Sequence, residues 1–157
     1  HGGLERVETP EIREPNRTLD YGSGFYTTTS YEQAEEWVRR KMKGNRAAKG
    51  FVNEYELNID QLQSVKCLLF ESPTDEWIDF VMNNRLNKDF VHDYDIVYGP
   101  VANDRVYTCF ALYEGGLMSK QNLLAELKTY ELVDQYLFHT EHALQLLTFT
   151  QAHEILL

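Results

Sequence analysis

Four hydroxyl side chains stand where helices begin, and the stretches between them are β-branched and aromatic. Ser30, Ser72, Ser119 and Thr140 each open a run with apolar residues at helical spacing. Among those runs lie short segments of strand character: "FYTTT", "SVKCLLF", "YDIVYGP" and "QYLFHT". Helix and strand signals intermix without strict alternation, which predicts an α+β fold. The chain of 157 residues fits one domain, 1–157, and carries no internal repeat, low-complexity tract or inter-domain linker.

The local signals fix expected boundaries. Residues 1–20 hold Pro10, Pro15 and two early glycines, which suit a strand end followed by a long loop. Ser30 with Gln33 forms a capping box, and a helix runs from Tyr31 to Lys43 until Gly44-Asn45 stops it. Ala34, Trp37, Val38 and Met42 form its expected buried face. "GFVNEYELNI" alternates, with Phe51, Asn53, Tyr55, Leu57 and Ile59 on one face of a strand. "SPTDEWIDFVMNNRL" is a helix capped by Ser72, with Pro73 in its first turn and Trp77, Phe80 and Val81 inward. "NDRVYTCFALYEGG" and "SKQNLLAELKTYEL" are two more helices, and "TEHALQLLTF" is a last short helix or turn.

Charge and cysteine usage exclude several classes. A formal net charge of −10 argues against a general nucleic-acid binder, and the basic run Arg39, Arg40, Lys41, Lys43 reads as a solvated helix end. Cys67 and Cys109 form neither a disulfide framework nor a zinc ribbon, and they suit a reducing compartment such as the cytoplasm. No apolar run approaches membrane-spanning length, and no signal-peptide pattern opens the chain. The chain opens on His1 rather than Met, as a trimmed chain would, so a secreted effector stays open. "HDYD" at 92–95 and "HTEH" at 139–142 hold histidines and carboxylates but lack the His-Glu-x-x-His spacing, so no metal site is expected. No nucleophile elbow supports Ser-His-Asp catalysis.

Three short stretches carry the chemistry. "HGG" sets His1 beside Gly2 and Gly3, whose backbone groups lie open to a ligand that a Cβ would block. "YGSGFYTTTS" repeats that device at Gly22-Ser23-Gly24 and then supplies the flat ring of Tyr26. Ser23 and Thr27 add hydroxyls. "DQYLFHTEHAL" opens a strand with Asp134-Gln135, and the Gln135 amide can donate and accept at a sugar hydroxyl. A histidine, bare amides and a stacking ring suit an aromatic amide ligand. Taken singly, each also reads as an ordinary turn or core residue.

In this order, His1-Gly2, then Gly22-Ser23-Gly24-Phe25-Tyr26 before a helix, then Gln135 before "YLF", the chain resembles the ADP-ribosyltransferase superfamily. The resemblance is to its diphtheria-toxin and poly(ADP-ribose)-polymerase side. It is closer still to an uncharacterised bacterial branch with patterns like "VETPEI", "DIVYGPVANDRV", "LKTYEL" and "DQYLFHTEHAL". The resemblance implies a split β-sheet with flanking helices and NAD as substrate. By the same resemblance, Gly2 holds the nicotinamide carboxamide, Tyr26 stacks on its ring, His1 bonds the adenosine-side ribose, and Gln135 holds the nicotinamide-side ribose. Ser23, Gly24 and Thr27 line the site, Trp37 or Tyr31 forms a second wall, and Asn103-Asp104 stands at the mouth, with Asp104 as the binding residue.

The implied activity is mono-ADP-ribosyl transfer to a macromolecular acceptor, protein or nucleic acid, by positioning and charge stabilisation. A bacterial toxin or effector with a cognate inhibitor protein would fit that activity. Gln135 departs from the glutamate found in many members and cannot act as a base; Glu131, Asp134 and Glu141 stand near it in sequence. The second departure is the start, where the strand expected before His1 is absent or truncated. A catalytically silent module on the same fold, binding NAD or a protein partner, is the rival expectation, and a metal-dependent hydrolase a distant third.

Overall fold

The computed structural model describes residues 1–13, 20–100 and 104–157, with Asp104 and Arg105 described by backbone alone. Twelve strands and α-helices follow one another among them: β1 Gly2–Gly3, β2 Phe25–Thr27, α1 Tyr31–Asn45, β3 Lys49–Leu57, β4 Cys67–Leu69, α2 Asp75–Leu86, β5 Ile96–Pro100, α3 Asp104–Glu114, α4 Lys120–Leu127, β6 Asp134–Phe138, α5 Glu141–Leu144 and β7 Leu147–Leu156. A 3-10 helix at Ile59–Ser64 joins β3 to β4. The architecture is mixed α+β with two sheets. One has three antiparallel strands in the order β1-β3-β7; the other has four in the order β2-β6-β5-β4, with only β4 and β5 parallel.

The alternation along β6 explains how the layers meet. Leu137 enters a core with Trp77, Ile78 and Val81 of α2, Val106 and Phe110 of α3, and Leu123 and Leu127 of α4. Its neighbour Phe138 points the other way, to Phe25, Ile96, Ala143 and Leu144, with Tyr55 and Leu57 of the three-stranded sheet packed against them. One face of the four-stranded sheet is therefore covered by helices, and the other meets the second sheet. Helix α1 covers the outer side of the three-stranded sheet through Ala34, Val38 and Met42 against Val52 and Ile155. Among the described residues, no helix is long and apolar enough to cross a membrane.

Several expected boundaries move, each for a local reason. Trp37 is not on the buried face of α1: it is 36% exposed, with Arg40 and Lys41 over its ring at 5.9 and 5.7 Å. A hundred degrees per residue puts Trp37 off the narrow stripe that Ala34, Val38 and Met42 already fill. The left-handed residue ending α1 is Arg46, at φ 54°, two positions beyond Gly44; its N–H reaches the Met42 carbonyl. The cap of α2 is Thr74 rather than Ser72, its hydroxyl accepting from the Trp77 N–H at 3.2 Å. Pro73 disfavours helical backbone at Ser72, so the helix starts after it. Ile59 leaves the strand for the 3-10 helix and is 71% exposed.

The largest unexpected element is β7, the longest strand. Thr150 is an extra residue there, because Gln151 pairs with Glu54 while Phe149 pairs with Tyr55. The bulge reverses the alternation. Leu147 faces the four-stranded sheet and Ile155 faces α1, although both positions are odd-numbered.

Candidate functional site

The two sheets meet at His1. Its backbone nitrogen donates to the Asn53 carbonyl at 2.9 Å, and its carbonyl accepts from the Asn53 N–H at 2.7 Å, which ties it to β3. Its ring stacks on Phe25 of β2, with centroids 4.4 Å apart and planes 22° apart. Its Nδ1 lies 2.7 Å from the Tyr26 carbonyl. A carbonyl can only accept, so Nδ1 donates a proton to it, which leaves Nε2 as the ring's other polar atom. Histidine and tyrosine, 25 residues apart in sequence, thus share one junction.

The glycines at this junction are bare because protein atoms crowd them. A Cβ on Gly2 would overlap the Ala34 carbonyl oxygen and stand 3.0 Å from Val38, so β1 lies directly beneath α1. A Cβ on Gly24 would come within 2.6 Å of the Phe138 carbonyl oxygen and 3.2 Å of His139 Nδ1. Gly22 holds φ at +84°, which turns the chain back toward β2. Ser23 is exposed at the tip of that turn, and Thr27 gives its hydroxyl proton to the Tyr136 carbonyl at 2.9 Å.

Tyr26 is half-buried, against the core on the helical side of its sheet. Its hydroxyl donates to the Gly22 carbonyl at 2.7 Å, and burial holds its proton well above the usual tyrosine range. Tyr26 pairs with Leu137, so Gln135, two residues earlier on β6, projects from the same face. Gln135 is only 8% exposed, and its side chain lies beside the Tyr21 hydroxyl. That hydroxyl also receives the Trp77 Nε1–H and donates to the Pro100 carbonyl at 2.7 Å. Gly99, opposite Gln135, leaves room for it: a Cβ there would stand 2.5 Å from the Tyr21 oxygen.

The fold therefore joins His1, Gly2 and Tyr26, and sets Gln135 on the Tyr26 face, while the His1 ring lies with Phe25 on the other face. Trp37 stands apart on the outer side of α1, and Tyr31 is 41% exposed against the edge of His153. Asp104 opens α3, and its side chain is outside the described residues, as is Asn103 altogether. Of the nearby carboxylates, Asp134 clamps the N–H and hydroxyl of Thr29 at 3.0 and 2.7 Å, and Glu141 accepts from the Ile12 N–H at 3.3 Å. Glu131 is exposed.

Sequence reasoning overlooked Tyr21, which no pattern distinguishes from other core aromatics. It also read the two histidine clusters separately, whereas the fold joins them. His92 and His139 meet edge to face at 4.3 Å, and His139 Nδ1 donates to the Ser23 carbonyl at 2.6 Å. The buried Nε2 of His139 has no partner. No group of three metal-ligating side chains forms among the described residues.

Burial, then the neighbouring His92, pushes His139 down from the ordinary 6.5 to about 4, with Asp95 and the Ser23 carbonyl acting in the opposite direction. A lowered histidine pKa means the unfolded chain binds more protons between those values. Stability is thus complete above about pH 6.5 and declines as pH falls toward 4. Urea midpoints taken across that window should fall, and His139→Gln should flatten the curve. A slope unchanged by the substitution would place the titration elsewhere.

A family model described as a protein of unknown function (DUF3990) matches residues 1–149. The chain belongs to that family. No curated protein and no solved structure matches it.

Proposed function

We propose that the chain is an NAD-dependent mono-ADP-ribosyltransferase acting on a macromolecular acceptor, on an ADP-ribosyltransferase-like split sheet. The observation that carries this reading is that the three motifs adjoin at β2, with the His1 ring on its Phe25 face and Gln135 on its Tyr26 face. His1 reaches it from β1 through the Tyr26 carbonyl, and Gln135 reaches it from β6 on the Tyr26 face. These are the three elements on which the sequence resemblance rests. The two sheets, one built on β1-β3-β7 and the other on β2-β6-β5-β4, are compatible with that architecture.

The available donors and acceptors fit a nicotinamide–ribose substrate in part. His1 Nε2 and the exposed Ser23 hydroxyl are uncommitted polar groups beside the junction, suited to ribose and carboxamide. In this reading the protein orients the sugar and stabilises its developing positive charge, while nicotinamide departs and the acceptor attacks. The same geometry favours a second reading, a silent NAD-binding or partner-binding module, on one observation: Gln135 is buried, beside the Tyr21 hydroxyl. Incubation with labelled NAD and cell lysate separates the two. Transfer of label to macromolecules supports the enzyme, and saturable NAD binding without transfer or nicotinamide release supports the silent module.

A further inference from the structure

The face of the four-stranded sheet that carries Phe25 also carries a recess two strands away. Cys67 and Leu69 of β4, Ile96 and Tyr98 of β5, and Tyr136 of β6 project from this face in register. With Leu62 they line a pocket of about 310 Å³. The Tyr98 and Tyr136 rings lie 4.5 Å apart at 44°, and Leu69 of β4, beside Tyr98, is 60% exposed. Glu71 stands at the edge of this pocket and also of an adjoining one of about 290 Å³, which shares Tyr98 and reaches Asp134 at the head of β6. Across the sheet, β2 and β5 are separated by two strand spacings, about 10 Å.

The lining selects an occupant. Exposed Glu71 and the half-buried Asp134 put carboxylates at the rim of the two pockets, which favours a cation over a neutral apolar ligand. Anions are opposed by Glu71, by Asp134 and by the net charge of −10. Asp134 spends one oxygen on Thr29 and takes the Tyr98 hydroxyl on the other at 3.3 Å, which leaves acceptor capacity there. The lysine in the second pocket, Lys128, stands exposed at the end of α4. A flat cation on an aliphatic stem satisfies all these groups, because a guanidinium stacks on tyrosine rings and forks onto carboxylates where a compact ammonium does neither as well.

We propose that this recess binds an alkylguanidinium, the side chain of an arginine, with its stem along Leu62 and Leu69 and its head over Tyr98 and Tyr136, between Glu71 and Asp134. Calling it the acceptor subsite rests on the transferase reading; the binding itself does not. In the transfer, a guanidinium nitrogen forms the new bond to the ribose C1. The bond from C1 to nicotinamide breaks, its electron pair leaves with neutral nicotinamide, and the proton displaced from the attacking nitrogen passes to water.

Agmatine, arginine without its carboxylate, is the probe, and the urea of equal length that keeps the terminal ammonium and replaces only the guanidinium is its control. Calorimetric titration at low ionic strength should give saturable binding of agmatine and none of the urea. Glu71→Gln, at an exposed position, and Asp134→Asn should each weaken agmatine by about tenfold, and Tyr98→Leu by a similar factor. Thermal midpoints confirm that each variant is folded. Equal binding of the urea, or agmatine affinity unmoved in the Glu71→Gln, Asp134→Asn double variant, overturns the proposal. Nicotinamide release is measured in parallel. Release without agmatine binding removes the subsite and leaves the transferase; agmatine binding without release does the reverse.

Discussion

Trp77→Ala is expected to lower the free energy of unfolding by about 3–5 kcal/mol, the range for deleting a buried aromatic. The side chain is 1% exposed, lies against Phe110 at 5.7 Å, and gives its Nε1–H to the Tyr21 hydroxyl. Two losses combine: a cavity in the core between α2 and α3, and one donor to a buried oxygen. The oxygen keeps its bond to Pro100, so it is not orphaned, and the cavity is the larger effect. Set against a total of about 5–15 kcal/mol for a domain, the substitution consumes much of the stability. Tyr21→Phe, which keeps the ring and removes the hydroxyl, should cost about 1–2 kcal/mol. Urea unfolding of both single variants and the double variant measures the coupling. Because the hydrogen bond is shared, the double variant should cost less than the sum. Strict additivity, or a Trp77→Ala loss below about 1 kcal/mol, contradicts this account of the core.

The sequence disclosed elements more readily than faces. Caps at Ser30, Ser119 and Thr140 mark helix starts because each satisfies a backbone N–H within three residues, a wholly local event. Trp37 was misjudged because helical spacing tolerates two stripes, and only packing on β1 and β3 chooses between them. Strand β7 was illegible for a related reason. Its polar run "TFTQAHE" alternates poorly, and the Thr150 bulge exchanges its two faces midway, so neither half extends the pattern of the other. The long-range ladder to β3, from Lys49–Leu156 to Leu57–Leu147, holds it.

For the site, the limit was subtler. Glycine at positions 2 and 24 was legible as a place of close approach, but not what approaches. Helix α1 fills the space over Gly2, and the end of β6 fills the space over Gly24, so protein backbone accounts for both. What survived from sequence to space is the meeting of His1 with Tyr26 and the shared face of Tyr26 and Gln135. The environment of Gln135 was not legible, because Tyr21, Trp77 and Pro100 come from three distant segments.

That environment sharpens the remaining prediction. If the chain is the transferase proposed above, Gln135→Ala should lower nicotinamide release by a factor of about a hundred or more, the usual loss of one preorganised contact. Tyr21→Phe should lower it less, since Tyr21 stands beside the Gln135 amide and its hydroxyl is committed to the Pro100 carbonyl. Gln135→Glu keeps the size and adds a carboxylate beside the developing cation, and it should raise NAD hydrolysis. Burial opposes that gain: at 8% exposure the new carboxyl is driven toward its neutral form, so the increase should grow with pH. Thermal midpoints and NAD affinities of every variant separate folding and binding from turnover. Background rates in all of them, with NAD still bound, would mean a silent module in which Gln135 serves only the Tyr21 network. If Gln135→Ala retains full activity and Asp134→Asn loses it, the neighbouring carboxylate, already clamped to Thr29 at the start of α1, is the third residue instead.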